Sequence, residues 1–172
     1  MRYAWTMPTP RRTLLAQDEA IAKVMEVYEA LERRPVEREC LRRTECCQFK
    51  LTGQVPYLTE GEALVAARAL RAKGIHKLVP REDGACPMLG VDGLCQIYES
   101  RPFGCRTHFC VAAGGPYKRR EVVDLIRQLE DIDHAVGGCG PRTLPVAVKE
   151  ALSRSTMKSG VATKAAPRAR GR

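Results

Sequence analysis

The chain reads as a mainly α-helical domain with a small β-hairpin, its cysteine-rich loops organised around a metal centre. Three observations predict this. Three long segments carry apolar residues at the i, i+3, i+4, i+7 spacing of a half-buried helix. Eight cysteines fall outside those apolar stripes, in stretches without periodicity. Asp92-Gly93 sits between two short apolar runs, the pattern of a hairpin turn.

The elements follow in order. Residues 1–12 carry Pro8, Pro10 and three arginines and read as a disordered leader. Thr13 to Arg34 is the first helix, with Ile21, Val24, Met25, Tyr28 and Leu31 on one face. Pro35 stops it, because a proline disfavours helix both at its own position and before it. Residues 35–58 read as irregular. Thr59 and Glu62 have capping-box spacing at the head of the second helix, 59–73. Gly74 supplies its left-handed stop. Cys86-Pro87-Met88-Leu89 and Leu94-Cys95-Gln96-Ile97-Tyr98 form the arms of the predicted hairpin. The third helix covers 120–136, with Val122, Leu125, Ile126, Leu129, Ile132 and Val136 on one face and Gly137-Gly138 at its end. A last short helix covers Pro145 to Ser153. The organisation is thus a leader at 1–12, one domain at 13–153 and a disordered basic tail at 154–172, whose composition buries too little apolar surface to order itself.

One hundred and seventy-two residues suit one domain plus tails. No apolar run approaches the roughly 18–20 residues of a membrane-spanning helix, so no membrane partner is expected. The first dozen residues lack the apolar stretch of a secretory signal. A cytoplasmic location follows, where thiols stay reduced. The net charge is +9, yet all 20 acidic residues lie between Asp18 and Glu150, together with 20 of the 29 basic ones. The body is therefore neutral, and the basicity belongs to the two ends.

The cysteines are Cys40, Cys46, Cys47, Cys86, Cys95, Cys105, Cys110 and Cys139. Eight are too few for a disulfide scaffold of this length and many for a reduced core. Thiolates are soft anionic ligands, and a zinc site takes about four of them at roughly 2.3 Å. Loop and turn positions are where such sites are built. Core cysteines would instead be expected on the helix stripes. Cys86 and Cys95 span the hairpin, Cys105 and Cys110 form a second arm, and vicinal Cys46 and Cys47 are expected to serve different ions or to leave one packed. Cys139 lies in a Gly-Cys-Gly turn that lets backbone approach a cofactor. Readings as small buried hydrophobes or as disulfides stay open beside this one.

Cys46-Cys47, Leu58-Thr59-Glu60-Gly61-Glu62, Cys86-Pro87-Met88-Leu89, Cys95-Gln96-Ile97-Tyr98, Arg101-Pro102 and Cys105-Arg106 together resemble the YkgJ-type cysteine-cluster family. This is the CxxCxxCC zinc- or iron-chelating domain, which includes flagellin lysine N-methylase relatives. The resemblance covers roughly residues 36–112. It implies chelation of zinc or iron, with an iron–sulfur cluster as one form. The family opening is CxxCxxCC, and here Arg43 stands where the second cysteine belongs, which removes one ligand. Methylation is not carried over to a chain this short.

Around the cysteines, Arg101 and Arg106 are candidates for binding the cofactor by balancing charge, since four thiolates on a divalent ion leave −2. The alternative for both is a surface arginine. His108 is the histidine within reach of the cluster, while His76 and His134 read as solvated. The output of the metal site is not legible. One alternative is an iron–sulfur or thiol-dependent enzyme for redox or group transfer, although no glycine-rich nucleotide loop and no HExxH is present. The other is a nucleic-acid adaptor that uses the basic tail. Its charges are spaced by Ala, Ser and Gly without aromatics, so a solubilising tail is the competing reading.

Overall fold

The computed structural model describes residues 15–158, apart from 36, 37 and 39. The predicted leader and residues 159–172 of the predicted tail lie outside the described residues. Within them run α1 (Gln17–Glu32), α2 (Phe49–Thr52), β1 (Tyr57–Leu58), α3 (Glu60–Ala72), α4 (Phe103–Thr107), α5 (Arg119–Ala135), β2 (Arg142–Thr143) and α6 (Leu144–Lys158). Single 3-10 turns occupy Glu45–Cys47, Tyr98–Ser100 and Val111–Ala113.

Four long helices form the frame. α3 is central and packs on α6, α1 and α5. Its buried side includes Ala63, Leu64, Ala66, Ala67 and Leu70. It meets Val24, Tyr28 and Leu31 of α1, Leu125 and Leu129 of α5, and Val148 and Leu152 of α6 in one core. Gly61 permits the close approach, since a Cβ there would stand 2.8 Å from Val24 Cγ2 and 3.1 Å from Ile132 Cγ2. Each predicted long helix is present within a few residues of its expected ends. The Thr59 amide donates to Glu62 Oε2 at 3.0 Å, the reach-back of a capping box. Gly74 takes φ +76° at the stop of α3, and Gly137 takes φ +80° after α5.

Two differences from the sequence reading stand out. The predicted hairpin at 86–98 is reduced to a single bridge between Leu89 and Cys95. The turn is made as expected, with the Gly90 amide on Leu94 O at 2.8 Å and the Leu94 amide on the Asp92 carboxylate at 3.0 Å. The arms then diverge, because Tyr98 already belongs to a 3-10 turn. The two-stranded antiparallel sheet lies elsewhere and is long-range, pairing Tyr57 with Thr143 and Leu58 with Arg142. Two-residue strands carry no periodicity that a sequence pattern could reveal.

The last helix is also longer than expected and reaches Lys158. Arg154, read as the first residue of the tail, instead pairs with Glu60 at 2.6 Å. Arg142 joins the same carboxylate, so α6 and β2 are both tied to the head of α3.

Asp133 is buried at 2% exposure on α5. It accepts from the Glu60 amide at 2.6 Å and from the Gly140 amide at 2.9 Å. It therefore caps α3 from another helix and folds the 137–141 turn onto it. A Cβ at Gly138 would overlap this carboxylate. Gly138→Ala is expected to cost about 1–3 kcal/mol by overpacking, measured as a lower urea midpoint at unchanged slope.

Candidate metal centre

Three separate segments bring cysteines to one place. The 3-10 turn carries Cys46 and Cys47, the bridged loop carries Cys86 and Cys95, and α4 carries Cys105. The first two segments are joined through backbone, where the Cys86 amide donates to Cys47 O at 2.7 Å. The third is placed by Glu62. Its Oε1 accepts from the Phe103 amide at 2.9 Å at the start of α4. The capping residue of α3 thus sets the helix two residues ahead of Cys105.

The result is a cavity of about 300 Å³ beside the helical frame. Cys40, Cys46, Cys47, Cys86, Cys95 and Cys105 all line it, with His108, Tyr98 and Arg101. Cys110 lines a smaller adjoining cavity of about 160 Å³ with Cys40, Cys46 and His108. Cys139 is exposed in its turn and lines neither. His76 and His134 are exposed, in line with their reading as solvated. All eight cysteines are free. Cys86 is buried at 6%, and Cys47, Cys95 and Cys105 pack against the core. The apolar reading of these thiols is therefore true of their backs.

Electrostatics separate the thiols. Cys46 is pulled down to about 6, chiefly by a hydrogen bond from the Cys47 thiol and also by the charge of Arg101. The same bond, with burial, pushes Cys47 up. Burial raises Cys86 to about 11, with Cys95 and Cys46 adding to it. Burial raises Cys95 and Cys105 as well, and Glu62 contributes at Cys105. A metal that binds these sulfurs must displace their protons. Among the described residues no three His, Cys, Asp or Glu side chains already stand close enough to hold one ion. The donor set nonetheless suits a soft metal, since the lining is rich in sulfur and poor in carboxylate.

The two predicted arginines divide. Arg101 lines the thiol cavity, and its guanidinium also lies 4.0 Å from the Tyr98 ring centroid. Arg106 turns away from it. Its guanidinium is buried against Glu32 at 2.5 Å, Arg101 O at 2.9 Å and the carbonyl of Glu99, and lies over the Tyr28 ring. Its role here is to lock α4 onto α1. Arg43, in the place of a family cysteine, pairs with Glu45 at 2.8 Å and does not line the thiol cavity.

Residues 38–131 match the family model named CxxCxxCC, described as "Putative zinc- or iron-chelating domain". The match spans more than half of the chain and takes in seven of the eight cysteines, leaving out Cys139. This chain belongs to the CxxCxxCC family. Neither a curated protein nor a solved structure matches it. Within the CxxCxxCC chain, no helix among the described residues is long and apolar enough to cross a membrane. Sequence reasoning missed Glu62 as the anchor of α4, because its capping role already explained it. It also missed Arg42, which lines the thiol cavity from a backbone at φ +53°. Positive φ at a residue with a side chain leaves no mark in sequence.

Proposed function

We propose that this CxxCxxCC protein chelates zinc or iron on thiolates drawn from Cys40, Cys46, Cys47, Cys86, Cys95 and Cys105. The single observation that carries the reading is that these six cysteines, from separated segments, line one cavity. Arg101 favours the thiolate form at Cys46 and Cys95 by its charge. When bound, the metal would cross-link loops that otherwise have little regular structure of their own. Cys110 and His108 stand next in line as donors, and Cys139 stands apart.

The donor count favours a second, finer reading. Six thiols exceed the roughly four that one tetrahedral ion takes. Two ions would use the surplus better than one zinc, whereas an iron–sulfur cluster, also held by four cysteines, is told apart by its sulfide. Anaerobic purification with metal and acid-labile sulfide analysis tests both readings. About one to two chelated ions per chain are expected, or about two to four irons with matching sulfide for a cluster. Iron with sulfide identifies a cluster, zinc without colour a chelated ion, and metal-free protein with eight free thiols defeats the proposal.

A further inference from the structure

On the far side of Cys40, Arg42, Tyr98 and Arg101 lies a second cavity of about 300 Å³. Its chemistry differs from that of the thiol cavity. Five arginines line it, namely Arg34, Arg38, Arg42, Arg101 and Arg106, against one carboxylate, Glu32. Three of these guanidiniums have carboxylate partners. Arg106 pairs with Glu32 at 2.5 Å, Arg34 with Asp124 at 2.5 Å, and Arg38 with Glu121 at a looser 3.8 Å. Arg42 and Arg101 have none among the described residues. Both instead lie over the Tyr98 ring, at 4.4 and 4.0 Å from its centroid. Donors are left over too, since Arg38 Nη1 and Arg101 Nε are buried without a hydrogen-bond partner among the described residues.

Arg42 is exposed and Arg101 half-buried, so the costly groups are the buried, unmatched donors of Arg38 and Arg101, unless something answers them. Two features suggest that the cost is retained for a ligand. Arg42, in the cavity wall, holds left-handed backbone at φ +53° without being glycine. Such strain persists where a site needs it. Stacking on Tyr98 and Tyr117 also fixes the planes of Arg42, Arg101 and Arg38 in advance, which lowers the entropy lost when a ligand binds.

We infer that this cavity binds a dianionic oxyanion of the phosphate monoester class, held by Arg38, Arg42 and Arg101. The charge argument sets the class. Two guanidiniums without carboxylate partners among the described residues match the −1.5 to −2 of a phosphate monoester at neutral pH, and planar forks suit its oxygens. Arginines lie over the Tyr98 and Tyr117 rings, so these two rings offer no platform for a nucleobase. Phe109 adds an apolar wall, which suits an organic ester better than the free ion. The inference goes beyond metal chelation and does not require it.

The test is calorimetric titration of the metal-loaded full chain at fixed ionic strength, with inorganic phosphate and with phenyl phosphate. Saturable binding near one per chain is expected, tighter for the ester. Equal affinity for the two would identify free phosphate as the ligand, within the same class. Arg38→Gln should weaken binding about tenfold, the loss of one charge-assisted fork. Its metal content should stay unchanged, because Arg38 does not line the thiol cavity. Arg127→Gln, on an exposed face of α5, should leave binding intact. If the arginines only balance thiolate charge, the loaded protein takes up no phosphate or ester, and the inference falls. Equal losses in the two variants would also overturn it, as nonspecific charge attraction. Metal content reports separately on the chelation reading.

Discussion

Stripping the metal from loaded protein is expected to release the cysteine segments while the four-helix frame stays folded. The frame has its own core, shared by α1, α3, α5 and α6. The cysteine segments have no core of their own and only lend Cys86, Met88, Ile97 and Phe103 to that of the frame. Between residues 44 and 53 there are one 3-10 turn and a four-residue helix. Between 85 and 110 there are one bridge, one 3-10 turn and a five-residue helix. Helices this short are not stable by propensity. Structural zinc contributes on the order of 10 kcal/mol in small peptides, far more than these local bonds supply. Hydrogen exchange read by mass spectrometry is the measurement. Peptides from 44–53 and 85–110 should become fast in strong chelator, while α3 and α5 stay slow. The pair Cys86→Ser and Cys105→Ser should reproduce the pattern without chelator and carry less metal. Uniform loss of protection, or none, would contradict this division of the molecule.

Replacing Glu62 should produce the second large effect, through packing rather than ligation. The carboxylate is 3% exposed. Its Oε2 accepts from the Thr59 amide and hydroxyl, each at 3.0 Å, and its Oε1 from the Phe103 amide at 2.9 Å. The Tyr28 hydroxyl approaches Oε1 at 3.4 Å. Glu62→Ala strands two buried amides, each costing about 1–3 kcal/mol. A loss of about 3 kcal/mol is expected by urea unfolding. Metal content should fall with it, because α4 carries Cys105. Glu62→Gln keeps one acceptor oxygen, so one amide stays satisfied and about half the loss is expected.

The pH dependence has a definite sign. Burial raises the pKa of Glu62, and the hydrogen bonds offset this only in part. An acid whose folded pKa exceeds its unfolded value stabilises the fold below the unfolded value. That contribution is lost as pH rises through the folded one. Wild type should therefore lose some stability as pH climbs above the ordinary glutamate range, and Glu62→Gln should show a flatter profile there. An identical slope in the two proteins would mean that Glu62 titrates normally.

The sequence by itself determined the helices and the identity of the donors. Apolar spacing marks α1 and α5 because each buries one stripe, α3 is buried on all sides over 60–67 and is marked instead by its capping box and helix-forming residues, and glycines mark where α3 and α5 stop. Cysteines outside those stripes announced a site, and their order announced the CxxCxxCC family. Tertiary structure alone decided which donors meet. Cys40, Cys46, Cys47, Cys86, Cys95 and Cys105 share a cavity, while Cys139 is held away by the Asp133 turn. It also separated Arg101, which faces the thiols, from Arg106, which locks α4 onto α1. The strands β1 and β2 escaped notice for the same reason. Pairing across some eighty residues depends on where the helices dock, and no local pattern records it. Helical propensity and capping act within a few residues, whereas a cavity wall is made by segments far apart in the chain. Only the packed core brings those segments together.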